Sequence, residues 1–481
     1  MIVLKFGGTS VGDAERVQDA AAIIELQPMP RAAVVSAASG VTNLLLDAAG
    51  TAADGNRDRA NDVVVAIRAK HANVLSGITD EREREAACDL VEQLHLALDA
   101  ALDQVAAARE LSKRDSDRIV ATGEKAMSIM LAATLRSRGT PAIHVFADTV
   151  IATDDRFGSA RPDRQRTREQ AAANVLPHLT AGKSVVMTGF VGGAPDGSTT
   201  TLGRGGSDYS ATLLGAALDA TEVQIWTDVP GVLSADPRQV ADARVVPTIS
   251  YDEAQELAHF GAKVLHPRTI RPAVARDIPV RILSTFAPKE PGTLVIRHAT
   301  GDHVKAVTAM KGLMLLTIDV PELEDLAGAA SAVFGRLHQD HVEIVHVSQA
   351  SSRRRMTYLV DSGNTGGCRN MRARIEDALE DFEADVSCQE NVAVVAAVGD
   401  GAASQPTELG RMLGVLHRAG IPVHASSQQS SNVALVTVVP ANFAERAVEA
   451  IHNAFIGPQP ASARGRRQRR DRVMSESMRV G

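Results

Sequence analysis

An alternation constrains the fold more than any other feature of this chain. Over the first 300 residues, short apolar runs recur: "IVLKF" (2–6), "RAAVVSA" (31–37), "AIHVF" (142–146), "SVVMTGFVG" (184–192), "VQIWTDV" (223–229) and "VRILS" (280–284). Longer amphipathic segments separate them. Strands without an apolar–polar alternation are buried on both faces, and helices between them supply the cover, so a mainly parallel α/β sheet sandwiched by helices is expected. Residues 58–112 carry no strand signal and read as helices projecting from the sheet. "SDRIVATGEKAMSIMLAATLRSRG" (116–139) reads as a helix stopped by Gly139. The aromatic share of 3% suits this architecture better than a β-sandwich.

Near residue 300 the texture changes, and shorter strands are expected. "FGRLHQDHVEIVHVSQASS" (334–352) aligns without gaps on "LGVLHRAGIPVHASSQQSS" (413–431). Each copy reads as the end of a helix, a turn, a strand and S-Q-x-S-S, and each is followed by a further strand, "MTYLV" or "ALVTVV". Two copies are too few for a solenoid and suit two packed βαβ-type modules.

Formal net charge is −7, yet "RGRRQRRDR" (464–472) is strongly basic, so the remainder is more acidic still. Such a body is a poor nucleic-acid binder, and the tail from 458 to 481 reads as solvated and disordered. Cys88, Cys368 and Cys388 lie far apart. They form neither a disulfide framework nor a zinc pattern, which points to a reducing, cytoplasmic setting. No signal peptide and no membrane-length apolar run is present.

The first strand ends in "KFGGTSVG" (5–12). Its glycines fit a plain tight turn, a phosphate cradle, or the G-x-S-x-G nucleophile elbow, but not a Walker loop. A second cluster, "TTTLGRGGSDYSATLLGAALDA" (199–220), embeds Arg204 among glycines before a helix. Backbone and guanidinium can there meet one small anion together. A third, "WTDVPGVLSADPR" (226–238), closes a buried strand. Lys5, Ser39, Phe190, Arg204 and Asp228 all fall at or after strand ends, where open α/β sheets bind ligands. His266, before Pro267, reads as a helix-ending residue bonded to backbone.

"KFGGTSVG", "SAASGVTNLL", "TGE", "GFVGG", "TTTLGRGGSDYSA", "WTDVPGVLSADPR" and "FGAKVLHPRT" resemble, in order, the signature blocks of aspartate kinases. The paired repeats resemble that family's ACT regulatory domains. The resemblance implies an amino-acid kinase fold over 1–295 and ferredoxin-like ACT domains over 305–385 and 386–457. It implies transfer of the γ-phosphoryl of ATP, carried with Mg²⁺, to the β-carboxylate of L-aspartate. That reaction opens lysine, threonine and methionine biosynthesis. A carboxylate nucleophile is already ionised at neutral pH and needs no general base, so positioning and charge neutralisation carry the catalysis.

By the same resemblance, Lys5 and Asp208 are catalytic, and Gly7, Gly8 and Ser10 join Lys5 on the phosphates. Arg204 clamps the α-carboxylate of aspartate and Glu124 its ammonium, with Ser39, Thr42 and Phe190 completing that pocket. Glu124 also fits an ordinary helix N-terminal charge. Thr227, Asp228, Arg238 and Lys263 match nucleotide positions, and Leu233 stands where many relatives carry an aromatic. No protein metal site is implied. Ser348, Gln349 and Gln428 are candidate contacts for an amino-acid effector, threonine or lysine. The amide of Gln349 favours threonine, although Arg353, Arg354 and Arg355 replace the acidic residue that often follows. A homo-oligomer, dimer or tetramer, is expected. The alternatives are a kinase for another small amino acid and a kinase-dead sensor.

Overall fold

The computed structural model describes residues 1–262, 265–299, 303–321, 326–350, 354–363, 365–401, 406–428 and 432–457. They fall into two compact units: 1–232, 247–251 and 264–299 form one, and 233–246, 252–263 and 300–481 the other.

In the first unit the chain runs through β1 (Ile2–Phe6), α1 (Ala14–Leu26), β2 (Arg31–Val35), α2 (Val41–Ala53), α3 (Arg57–Ser76), α4 (Glu81–Ala108), α5 (Lys113–Ser137) and β3 (Ala142–Val145). It continues through α6 (Arg164–Asn174), α7 (Leu176–Thr180), β4 (Ser184–Thr188), β5 (Val191–Gly193), β6 (Thr199–Thr201), α8 (Gly206–Ala217), β7 (Glu222–Thr227) and β8 (Thr248–Ser250). After α9 (Tyr251–His259), which falls in the second unit beyond its first residue, come α10 (Pro267–Ala275), β9 (Val280–Ser284) and β10 (Thr293–Ile296). The sheet order is β3-β4-β2-β1-β7-β9-β10-β8, and only the β9–β10 pairing is antiparallel.

The apolar runs make central strands because both of their faces are covered: all five residues of β2 and of β4 are buried. Alternation along β1 divides its side chains. Leu4 and Phe6 join a core built with α1 to α5, whereas Val3 lies on the side of Gly215 of α8. Lys5 shares Val3's face, which aims the one charged residue of β1 toward α8. As expected, 58–112 is helical, as α3 and α4, and Gly139 takes a left-handed φ of 84° just past α5.

The second unit holds β11 (Ala306–Asp319), α11 (Leu326–Gln339), β12 (Ile344–Ala350), β13 (Arg355–Asp361), α12 (Cys368–Ala378), β14 (Asp385–Val398), α13 (Pro406–Arg418), β15 (Ala425–Gln428), β16 (Ala434–Pro440) and α14 (Ala444–Phe455). Both repeat copies run from a helix end into a strand, α11 to β12 and α13 to β15. One six-stranded sheet has the order β12-β13-β11-β14-β16-β15.

The expectation of shorter strands is wrong for its two central members. β11 and β14 are 14 residues each, because each serves two modules. Met314, Leu316 and Ile318 of β11 sit in one core with α11 and α12. Val307 sits in another with Val395, Ala397 and residues of α13 and α14. The β11–β14 register shifts between Met310 and Leu313, where one core gives way to the other.

The cysteine reading also needs correction. Cys368, at the start of α12, is joined to Cys388 of β14 by a disulfide. Twenty residues separate them, and the return of the chain from α12 into the sheet brings them together. Cys88 is free and exposed. No helix among the described residues is long and apolar enough to cross a membrane. The basic tail lies outside the described residues.

Candidate active site

A cavity of about 630 Å³ opens at the carboxyl ends of β1, β2 and β4. The chain leaves each of these strands through a short loop, and cross-loop hydrogen bonds fix the geometry: Ser39 N–H donates to Gly8 O (3.1 Å), Gly189 N–H to Val35 O (2.8 Å) and Leu202 N–H to Phe190 O (2.9 Å). The walls include Lys5, Gly8, Ser39, Thr42, Glu124, Phe190, Arg204 and Asp208. Residues more than 200 positions apart thus meet in one place.

Two helices begin at this cavity, α2 after Gly40 and α8 after Gly205, and neither has a side-chain cap. By contrast, Asp13, Asn56, Asp80, Ser112 and Asp163 cap α1, α3, α4, α5 and α6. An uncapped N-terminus leaves N–H donors and a positive dipole end free for an anion. Gly205 holds a left-handed φ of 69°. A Cβ there would also sit 2.8 Å from Thr269 Cγ2, so the turn demands glycine on both counts.

Lys5 Nζ is 2.8 Å from Asp208 Oδ1, and both side chains are mostly buried. β1 ends at the ammonium, and the first turn of α8 supplies the carboxylate. Arg204, between the two glycines, is exposed at the cavity and makes no ion pair among the described residues. Phe190 holds φ at 64°, a left-handed conformation that costs energy for a non-glycine residue and clusters at functional sites.

Glu124 differs from every other group here. It lies in the interior of α5, not at its N-terminus, so the helix-dipole reading does not describe it. Gly123 lets α5 approach the loop after β2, since a Cβ there would lie 2.8 Å from Ala37 Cβ. The residue is 3% exposed and its Oε2 has no hydrogen-bond partner. Burial pushes its pKa up to about 8, against the opposing pull of the Ala37 backbone N–H. A buried acid left unsatisfied on a cavity wall awaits a cation.

The other expected residues are placed differently. Gly7 follows β1, and its N–H donates to Trp226 O at 3.2 Å. Ser10 does not reach the cavity. It is fully buried, and its hydroxyl bonds Thr285 Oγ1 at 3.1 Å, which also excludes a nucleophile elbow. Thr227 ends β7 and Asp228 follows it, hydroxyl to carboxylate at 3.1 Å, outside the cavity wall.

Arg238 belongs to the second unit, where it pairs with Asp236 at 2.6 Å. Leu233, also in that unit, bridges Val245. Lys263 lies outside the described residues. His266 begins a helix instead of ending one: its ring Nδ1 accepts from Arg268 N–H at 3.2 Å as the cap of α10. Its bond to backbone is as expected.

Thr9, Ser36, Asn43 and Ser207 also line the cavity and were missed. Each lies inside one of the sequence blocks quoted above, and only that membership could have flagged them. Among the described residues, no three His, Cys, Asp or Glu side chains gather as a metal site.

In the second unit, Ser348 and Gln349 lie on β12, opposite Thr357 and Met356 of β13. Gln428 ends β15, opposite Leu435. Ser427, beside Gln428, comes within 3.1 Å of His346 Nε2 on β12, so the two copies' strands meet at that point.

The sequence pattern of the amino acid kinase family matches residues 1–284, more than half of the chain. The chain belongs to the amino acid kinase family. An ACT domain pattern matches residues 395–455 of this family member. The lysine-sensitive aspartokinase 3 of Escherichia coli strain K12 is 35% identical over 94% of this chain and 98% of its own length. The crystal structure of E. coli aspartokinase III in complex with aspartate and ADP superposes with a TM-score of 0.77, at 32% identity, over 94% of this chain and 99% of that one. A chloroplastic bifunctional aspartokinase/homoserine dehydrogenase of Daucus carota is 31% identical over 94% of this chain, which spans 50% of that longer protein.

Proposed function

We propose that this chain is an aspartate kinase, transferring the γ-phosphoryl group of ATP to the β-carboxylate of L-aspartate. One observation carries the reading. Buried Glu124, whose Oε2 has no hydrogen-bond partner, shares a cavity with the Lys5–Asp208 pair and with Arg204, which has no ion pair among the described residues. A free amino acid presents an ammonium and an α-carboxylate, and these two side chains supply one partner for each. The aspartate and ADP held by the E. coli relative support the same assignment.

The roles follow from charge. The side-chain carboxylate of aspartate is ionised near neutrality and attacks without a general base. Lys5 neutralises the charge that moves onto the phosphoryl oxygens, and Asp208 holds the Lys5 ammonium in place. The uncapped starts of α2 and α8, with Gly8, Ser39 and Thr42, donate to the bound anions. Phe190 closes the pocket. Gly7, Ser10, Thr227 and Asp228 are assigned to the nucleotide side, Ser10 through the packing of its loop. Mg²⁺ enters with ATP, as part of the substrate, held by phosphate and water.

Residues 1–295 are assigned to catalysis and 305–457 to a pair of ACT modules that sense an amino acid. Lysine, named for the E. coli relative, and threonine, suited to the Gln349 amide, are the effectors to compare. A ligand favouring one arrangement of a homo-oligomer, dimer or tetramer, would shift the catalytic population.

The test is an ATP-to-ADP assay with a panel of amino acids, followed by lysine and threonine titrations. Turnover with aspartate and not with glutamate or N-acylated acids is expected. Turnover with another acid alone, or with none, overturns the reading in favour of a different kinase or a sensor.

A further inference from the structure

A second cavity in the first unit, of about 930 Å³, shares no wall residue with the first. Tyr209 lines it, 8% exposed and next after Asp208 on α8. Arg268, in the first turn of α10, lies over that ring with its guanidinium carbon 5.4 Å from the ring centre. Its two terminal nitrogens reach Ser159 Oγ at 3.4 Å and Ala160 O at 3.5 Å, which fixes the direction of the fork.

Lys113, Arg161, Arg164 and Arg271 stand around the same space. None of these five cations has a carboxylate within 4.0 Å among the described residues. A sixth, Arg156, is already paired with Asp154 at 3.4 Å, and Asp155 is the one acid on the wall.

Such a concentration of like charge is unusual in a chain of net charge −7. Neighbouring cations repel, and a concave wall focuses their field onto whatever anion enters. Guanidinium forks match phosphate oxygens in pairs, and several forks around one space favour a ligand with more than one phosphate. Concavity and volume suit a small molecule up to the size of a nucleotide, whereas a macromolecule needs an extended surface. Tyr209 and the half-buried Phe157 add aromatic wall.

We propose that this cavity is a second anion site that takes a small polyphosphate, inorganic or nucleotide. It does not depend on the identity of the phosphoryl acceptor in the first cavity.

The test is calorimetric titration of inorganic tripolyphosphate, and separately of ADP, into the full chain. Three proteins are compared: wild type, Lys5→Ala, and the double variant Arg164→Ala/Arg271→Ala, whose substitutions are exposed and whose folding is checked by thermal melt. Tripolyphosphate affinity should stay within about twofold in Lys5→Ala and weaken by about tenfold or more in the double variant. Two ADP sites in wild type and one in the double variant assign the cavity to nucleotides. One ADP site in both assigns it to inorganic polyphosphate. The proposal fails if tripolyphosphate binding survives the double substitution or is lost with Lys5. It also fails if a single-stranded RNA binds the same arginines more tightly and displaces tripolyphosphate.

Discussion

Aspartate binding should expel a proton, and the source should be Glu124. Its pKa stands at about 8 in the free protein because the carboxyl is buried without a full set of partners. At pH 7 only about 10% of the molecules then carry the ionised form, and at pH 6 about 1%. An ammonium placed against the carboxyl reverses the balance, since a neighbouring opposite charge favours ionisation. Charging Glu124 at pH 7 costs on the order of 1 kcal/mol, so affinity for aspartate should rise by more than about tenfold from pH 6 to pH 8 and then level off.

The assay is isothermal titration of aspartate at pH 7 in two buffers of different ionisation enthalpy. The difference in heat should report release of about 0.9 proton per aspartate, falling to about 0.5 at pH 8. In Glu124→Gln the buffer dependence should vanish and aspartate should bind more weakly.

Stability moves in the opposite direction. A carboxyl whose folded pKa lies above its ordinary 4.5 stabilises fully below that value and loses the contribution as pH climbs through about 8. Without aspartate, Glu124→Gln should therefore melt higher than wild type at pH 9, by the equivalent of about 3–5 kcal/mol at most. Equal heats in the two buffers, with a flat affinity profile between pH 6 and 8, would refute the assignment of Glu124 to the ammonium.

Three further outcomes test the site. Lys5→Ala should lower kcat by about two to three orders of magnitude with the fold intact by circular dichroism, because it removes charge neutralisation in the transfer step; near-normal kcat excludes that role. Arg204→Ala should raise KM for aspartate by about tenfold or more while the ATP KM changes little, and the reverse pattern in steady-state kinetics would move Arg204 to the nucleotide. Ser10→Ala should cost about 1–2 kcal/mol in denaturant unfolding through its buried bond to Thr285 and leave the ATP KM within about twofold; a large rise in that KM would mean the hydroxyl reaches phosphate after all.

The parts of the fold that sequence conveyed are those governed by local burial. β1, β2, β4 and β7 are legible because a strand covered on both faces must be apolar at nearly every position, whereas their order in the sheet is not. The loops were legible as ligand contacts because glycines surround charged residues where backbone must come close. What escaped depends on long-range closure. Ser10 reads as a phosphate contact until Thr285, 275 residues away, is seen to take its hydroxyl. Glu124 reads equally as a helix N-terminal charge, and only its burial beside the close approach of Gly123 to Ala37 shows that it is sealed inside. Cys368 and Cys388 look unrelated until α12 folds the chain back onto β14.

The repeat shows why a correct local reading can still mislead about architecture. Each copy of helix, turn and strand was sound, and the natural inference was two consecutive modules with short strands. The pairing of β11 with β14 along their length changes that picture. Val307 packs with residues near 395 and 440, whereas Met314, seven positions on, packs with residues between 326 and 386. The second module therefore takes one of its strands from a segment that precedes the first. A helix–strand repeat reports the period of burial within a module, but the partner of a shared strand is set by sheet register, which leaves no mark in the repeat. Two modules built around shared strands cannot be separated without breaking the β11–β14 ladder, so they are expected to unfold together. Melting curves followed by probes placed separately in α11 and α13 should coincide, and two resolved transitions would show that the shared strands do not couple them.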